Sequence, residues 1–150
     1  MKTNLLAILF LFLISCGSDD KPVDYVSLND KQIQDYLAAN NLQAEKTASG
    51  LYYIIENEGT GAQPTATSQV RVAYKGYFLN GSIFDQSTFE GISFNLQQVI
   101  KGWTEGITYF KEGGSGLLLV PSHLAYGPRN YMGIPGGSVL VFEIDLLEVN

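Results

Sequence analysis

The two most reactive side-chain types in this chain each occur once. Cys16 is the only cysteine and His123 the only histidine among 150 residues. A single thiol forms no internal disulfide and no thiolate zinc site, and a single imidazole makes no histidine cluster for a metal. His123 has no cysteine partner and no acid placed beside it by a motif, so no nucleophile–base array is recognisable. No glycine-rich phosphate loop of the Walker or dinucleotide pattern occurs. Neither a metal nor a cofactor is therefore expected. What remains is the sulfur of Cys16, in the stretch FLISCGSDD, and its use has to be read from the segments around it.

Those segments look like an export leader. Met1–Lys2 supplies one positive charge, and every residue from Leu5 to Ile14 is apolar. That run is too short to span a bilayer, which takes about 20 residues as a helix. It suits the apolar region of a signal peptide, about 7–15 residues. Leu13-Ile14-Ser15-Cys16 resembles the bacterial lipobox, in which the peptide is cut before the cysteine and the sulfur carries diacylglycerol through a thioether. The alternative is an ordinary signal peptide with an incidental cysteine. The expectation is a signal peptide over 1–15, a lipidated Cys16 that holds the chain to a bilayer in the bacterial envelope, and a polar tether over 16–27. Several acyl chains at about 0.8 kcal/mol per buried methylene make a durable anchor. Acids behind the cysteine also resemble the surface-export signal of Bacteroidetes lipoproteins; a solvated periplasmic linker accounts for them equally. Cleavage removes Lys2 and no acid, taking the net charge from −6 to −7. A chain that acidic does not seek phosphate backbones, so nucleic acid is not an expected partner.

The remaining chain is about one domain long. Asn29, with Gln32 three residues on, has the spacing of a helix N-cap and capping box. Ile33, Tyr36 and Leu37 then recur at helical spacing and Asn40-Asn41 ends the run, giving a helical segment over 28–46 that either docks on the domain or serves a partner. From Leu51 the pattern turns to strands. LYYIIEN is rich in β-formers. VRVAYKGYFL places Val70, Val72 and Tyr74 on one face and Arg71, Ala73 and Lys75 on the other. Asn80-Gly81 is a hairpin signal, since both residues tolerate positive φ, and SIFD begins the return strand. Ile100, Trp103, Ile107 and Phe110 mark one face of a short helix. LLLVP reads as a buried strand, and SHLAYGPRNYMGIPGG as a long loop of the kind that carries function. In the last strand Leu140, Phe142, Ile144 and Leu146 share a side, with Glu143 and Asp145 opposite. One helix against an antiparallel sheet is an α+β arrangement.

VRVAYKGYFLNGSIFDQS, QQVIKGWTEGI and LAYGPRNYMGIPGGSVLVFEIDLLEV, in this order, resemble the FKBP family of peptidyl-prolyl cis–trans isomerases over about Thr47 to Asn150. The resemblance implies a highly twisted antiparallel sheet wrapped over one short α-helix, here with an extra N-terminal helix, and an isomerase domain over 47–150. It implies Trp103 as the floor of an apolar pocket, Tyr74, Phe84, Val99, Ile100 and Phe142 as its walls, and Ile134 on the flap. It makes Tyr126 a hydroxyl donor to a substrate carbonyl, and Asp85 either a polar contact to substrate or the group that orders Tyr74. Asp85, Tyr126, Trp103 and Phe84 are the catalytic set. Pattern alone would assign each aromatic to the core. Many members carry an aromatic near Ile92, whereas the segment 86–93 here is short and hard to align with them. Arg129, Tyr131 and Met132 match no family motif.

The implied partners are proline-containing polypeptides, with macrolide inhibitors as ligands of the same pocket. No nucleophile, metal or base is needed for rotation about a prolyl amide. Two other functions fit the same residues: a proline-binding chaperone without turnover, and an interaction lipoprotein that uses the helix near Asn29–Asn41.

Overall fold

A computed structural model describes residues 22–150. The leader and Cys16 lie outside them. Helix α1 (Tyr25–Ala39) is followed by strands β1 (Glu45–Lys46), β2 (Tyr52–Asn57), β3 (Gln69–Phe78), β4 (Ile83–Gln86) and β5 (Ile92–Asn95), helix α2 (Lys101–Gly106), and strands β6 (Ser115–Val120) and β7 (Leu140–Val149). The strands form one seven-stranded sheet in the order β1-β2-β6-β7-β3-β4, with β5 also paired to β3. Every pairing is antiparallel. The α+β arrangement with one short helix on the sheet and an extra N-terminal helix is thus present. No helix among the described residues is long and apolar enough to cross a membrane.

The alternation of β3 and β7 decides which face each residue meets. Val70, Val72, Leu140, Phe142, Ile144 and Leu146 point to one side and pack around α2 with Trp103, Ile107 and Phe110. On β6, Leu118 and Val120 join that core, while Leu117 and Leu119 point the other way. There they meet Ile33 and Leu37 of α1, together with Tyr52, Val139 and Val141. The unbroken apolar run of β6 therefore has a plain cause: a helix covers the strand on each face. Of the two roles open to α1 in the sequence, docking is the one the structure shows.

Three expectations need correction. The N-cap of α1 is Asp24, whose Oδ1 accepts from the amides of Val26 at 3.1 Å and Ser27 at 3.2 Å. The helix thus starts inside the segment assigned to the tether, and its expected C-terminal part includes β1. Asn29 is not a cap. It is fully buried within the helix, because the loop between β6 and β7 satisfies its amide. At the β3–β4 hairpin only Gly81 has positive φ, +85°. Asn80 instead accepts from the Ser82 amide at 2.9 Å through its side chain, and Phe78 N–H donates to the Ser82 carbonyl at 2.9 Å. The turn is accordingly longer than the two-residue form in which both positions need positive φ. Finally, β5 was not foreseen; it runs along β3 beyond β4, after a loop that bulges out at 87–91.

Ile33 is fully buried between α1 and the sheet. Ile33→Ala is expected to lower the unfolding free energy by about 2–5 kcal/mol in urea titration. A change within about 0.5 kcal/mol, as at an exposed site, would show that α1 is not part of the folded unit.

Candidate active site

A cavity of about 430 Å³ opens between α2, the β3–β4 hairpin and the loop that joins β6 to β7. Its floor is Trp103, 4% exposed. Three rings stand edge-on to the indole: Tyr74 with centroids 5.1 Å away, Phe94 at 5.3 Å and Phe142 at 5.3 Å. Phe84 packs at right angles on Phe142 at 5.6 Å. Such edge-to-face contacts contribute about 0.5–1.5 kcal/mol each beyond burial and fix ring orientation. Val99 and Ile100, at the start of α2, complete the apolar wall, and Gln98 adds an amide at the rim. The indole N–H is buried with no hydrogen-bond partner among the described residues, the kind of orphan group that native structures tolerate at functional sites.

The polar groups sit on one side. Tyr74 Oη donates to Asp85 Oδ2 at 2.6 Å, so the carboxylate orders the ring that stands against the floor. Burial first, then this hydrogen bond and the Asp85 charge, push the Tyr74 hydroxyl well above the ordinary tyrosine range. Tyr126 lies across the opening, 39% exposed, with its ring stacked on Tyr131 at 4.7 Å and 10°. Burial, followed by Tyr131 and Asp85, raises its pKa as well. Both hydroxyls therefore remain protonated donors through neutral pH.

Eight of the residues singled out in the sequence line this one cavity: Tyr74, Phe84, Asp85, Val99, Ile100, Trp103, Tyr126 and Phe142. Ile134 does not. It is buried at the end of the loop and packs into the core, and it exchanges backbone hydrogen bonds of 2.9 and 2.8 Å with Tyr131. It braces the turn that presents Tyr131. Three lining residues were not foreseen: Phe94, Gln98 and Tyr131. Phe94 lies in the unforeseen β5, opposite Val70 of β3. Its inward register was readable only once that pairing was known. It also supplies an aromatic contact two residues from Ile92. His123 is elsewhere, with Nε2 2.8 Å from the Ser49 carbonyl.

A family model described as FKBP-type peptidyl-prolyl cis-trans isomerase matches residues 60–147. The chain belongs to that family. It is 43% identical over 125 residues to the FKBP-type peptidyl-prolyl cis-trans isomerase FkpA of Aeromonas hydrophila, a match that covers 81% of this chain and 47% of that protein. FkpA of Escherichia coli K12 is 45% identical over 107 residues, 69% of this chain and 40% of that protein. The crystal structure of E. coli FkpA superposes with a TM-score of 0.74 at 36% identity, covering 83% of this chain and 61% of that one. A peptidyl-prolyl cis-trans isomerase structure from Pseudomonas syringae gives 0.72 at 32% identity, over 89% and 99%. The chain spans about half the length, or less, of the curated relatives it matches.

The raised tyrosines fix a pH window. Their folded pKa values lie above the unfolded value of about 10, so the stabilisation they reflect is complete below pH ~10 and is lost as pH rises through the folded values. Unfolding followed from about pH 7 to 12 should thus show a plateau and then an alkaline loss. Tyr74→Phe, with no phenol to ionise at this position, should make that loss shallower. An identical alkaline limb in the variant would refute the assignment.

Proposed function

We propose that the chain accelerates rotation about Xaa–Pro bonds in polypeptide substrates. The observation that carries this reading is the aromatic cavity itself, floored by Trp103 and edged on one side by two protonated tyrosines. A planar prolyl amide resists rotation by roughly 18–20 kcal/mol because resonance gives the C–N bond double-bond character. In the twisted transition state that resonance is broken and the carbonyl oxygen carries less negative charge. Water hydrogen-bonds best to the planar, polar amide. A proline ring seated on the Trp103 indole, with Phe84 and Phe142 beside it, exchanges that water for apolar contacts. The planar form loses more by this than the twisted form, and the difference lowers the barrier. In this reading the Tyr126 hydroxyl holds a substrate carbonyl at the cavity mouth, and the Tyr74–Asp85 pair keeps a wall ring fixed while the amide turns.

The reading extends to place and partners. Cys16 as a lipid anchor would hold the catalyst on an envelope membrane, among exported proteins whose prolines otherwise isomerise over about 10–100 s. Macrolides that mimic a bound proline would compete for the same cavity.

The test uses residues 22–150 and a protein whose refolding is limited by a trans-to-cis proline. The slow phase should quicken in proportion to added chain. Trp103→Ala should reduce the effect by about tenfold or more, and Tyr126→Phe by roughly three- to tenfold, the weight of one hydrogen bond. No acceleration from folded protein would remove the enzyme reading, and proline-peptide binding without acceleration would make the chain a binding module. For the anchor, cells fed radiolabelled palmitate should label the wild-type chain and not Cys16→Ser. Equal labelling of the two would place any lipid elsewhere.

A further inference from the structure

The loop that carries Tyr126 and Tyr131 is closed at its base by a ring of four hydrogen bonds. The Ser122 amide donates to Asn29 Oδ1 at 2.8 Å. The Gly127 amide donates to the Ser122 carbonyl at 2.8 Å, and the Gly137 amide to the Gly127 carbonyl at 2.9 Å. Asn29 Nδ2 completes the ring by donating to the Gly137 carbonyl at 2.9 Å. Three corners are loop backbone. The fourth is a side chain of α1. Gly127 directly follows Tyr126 and spends both its N–H and its carbonyl in the ring, so the ring fixes the backbone from which Tyr126 hangs.

Asparagine suits this corner for a chemical reason. The amide donates and accepts at once, whereas a carboxylate of the same length only accepts. Asn29 is fully buried, where an unpaired amide would be costly, and its second Nδ2 hydrogen is taken by Gln32 Oε1 at 2.9 Å. An independent contact ties the same two elements together. The Tyr25 ring of α1 occupies the space that a Cβ on Gly137 would need, and Gly137 has φ +75°.

We propose that α1 is a positioning element of the isomerase site, acting through Asn29, which sets the loop bearing Tyr126 and Tyr131 over the cavity. This rests on the function proposed above. Asn29 itself touches neither the cavity nor a substrate in it. It couples a helix on one face of the sheet to the pocket on the other.

Asn29→Asp gives the decisive comparison. Its carboxylate still accepts from Ser122 but cannot donate to the Gly137 carbonyl; once protonated it can do both. Burial raises a carboxyl pKa, so the ring should re-form as pH falls. The kcat/KM of Asn29→Asp is expected to lie about tenfold below wild type near pH 7.5, within the range that small misplacements of a site cost, and to recover towards it near pH 5. Asn29→Ala should be low at both. Asp30 on α1 and His123 in the loop are the ionisable neighbours of this contact, and both are in the wild type, whose profile accounts for them. Asp30→Asn, which weakens the contacts of α1 with Tyr52 and Lys46 and spares the ring, should keep wild-type kcat/KM. Amide hydrogen exchange at Gly127 and Gly137, corrected for intrinsic rates, should speed up in Asn29→Asp near pH 7.5 and normalise near pH 5.

Wild-type kcat/KM in both Asn29 variants overturns the proposal, whatever exchange shows. So does a loss in Asn29→Asp that low pH does not repair. If Asn29→Ala does not fold, Asn29→Asp at two pH values makes the comparison within one protein. A wild-type chain without isomerase activity defeats the function proposed above and leaves exchange to decide. Faster exchange then supports the hold of α1 on the loop, and unchanged exchange overturns it.

Discussion

No side chain separates α2 from the sheet at Gly102 and Gly106, and the pocket depends on that contact. A Cβ at Gly102 would run into Val120, and one at Gly106 into Leu118. The helix is therefore seated directly on β6. Trp103, between the two glycines, is set at a fixed height above the strand. Gly76 makes a matching gap on β3, where a Cβ would strike the rings of Phe84 and Phe142. With these three Cβ atoms absent, the rings lock edge-to-face around the indole. Protein interiors at crystal-like density do not leave space idle. The cavity stays open because the rings that surround it are already fully engaged with one another.

The same sheet must satisfy two layers. Its inner face holds α2 and the pocket; its outer face, around Leu117, Leu119 and Val141, is closed by Ile33 and Leu37 of α1. The loop from β6 to β7 passes between the layers, since Ser122 and Gly137 meet α1 while Tyr126 and Tyr131 meet the pocket. A loop this long would ordinarily be the least ordered part of a small domain. Here both its ends are held by backbone hydrogen bonds, and its tip by the reciprocal pair between Tyr131 and Ile134. Order at the mouth of the pocket is thus assembled from both faces of the sheet.

Much of this was legible in the sequence wherever one periodicity answered to one buried face. The alternation of β3 and β7 gave the correct inward residues, and the 3–4–3 spacing from Ile100 to Phe110 found the face of α2 and its trailing turn. Asn29 shows the limit. Its spacing to Gln32 mimics a capping box, and Nδ2 does bond Gln32 Oε1, yet the partners that bury it are 93 and 108 residues away. A local rule cannot see them. Asp24, the real cap, sat in a polar run whose composition read as tether. Strand β5 failed differently: four residues with exposed neighbours carry too little alternation to announce a strand, and Phe94 was lost with it. Tyr131 was visible but had no motif to give it a role, because its place is set by its stack on Tyr126.

The site residues raise a more general difficulty. A pocket that works by removing water uses the same side chains as a core, so no residue type or spacing separates Trp103 from Phe110. Phe110 is fully buried by neighbours within the chain, while the Trp103 indole is 4% exposed and its upper side is the floor of an open cavity. The difference lies in which contacts are missing. The proposed reaction asks for that asymmetry. One half of the substrate must be held still on rigid rings while the other half swings, and a substrate carbonyl outside the rotating bond must be held by a donor at the mouth. The locked rings supply the first and the Tyr126 loop the second. Their relative placement is then the quantity that catalysis would sense, and it is fixed by Gly102 and Gly106 on one side of the sheet and by the α1 contact at Asn29 on the other.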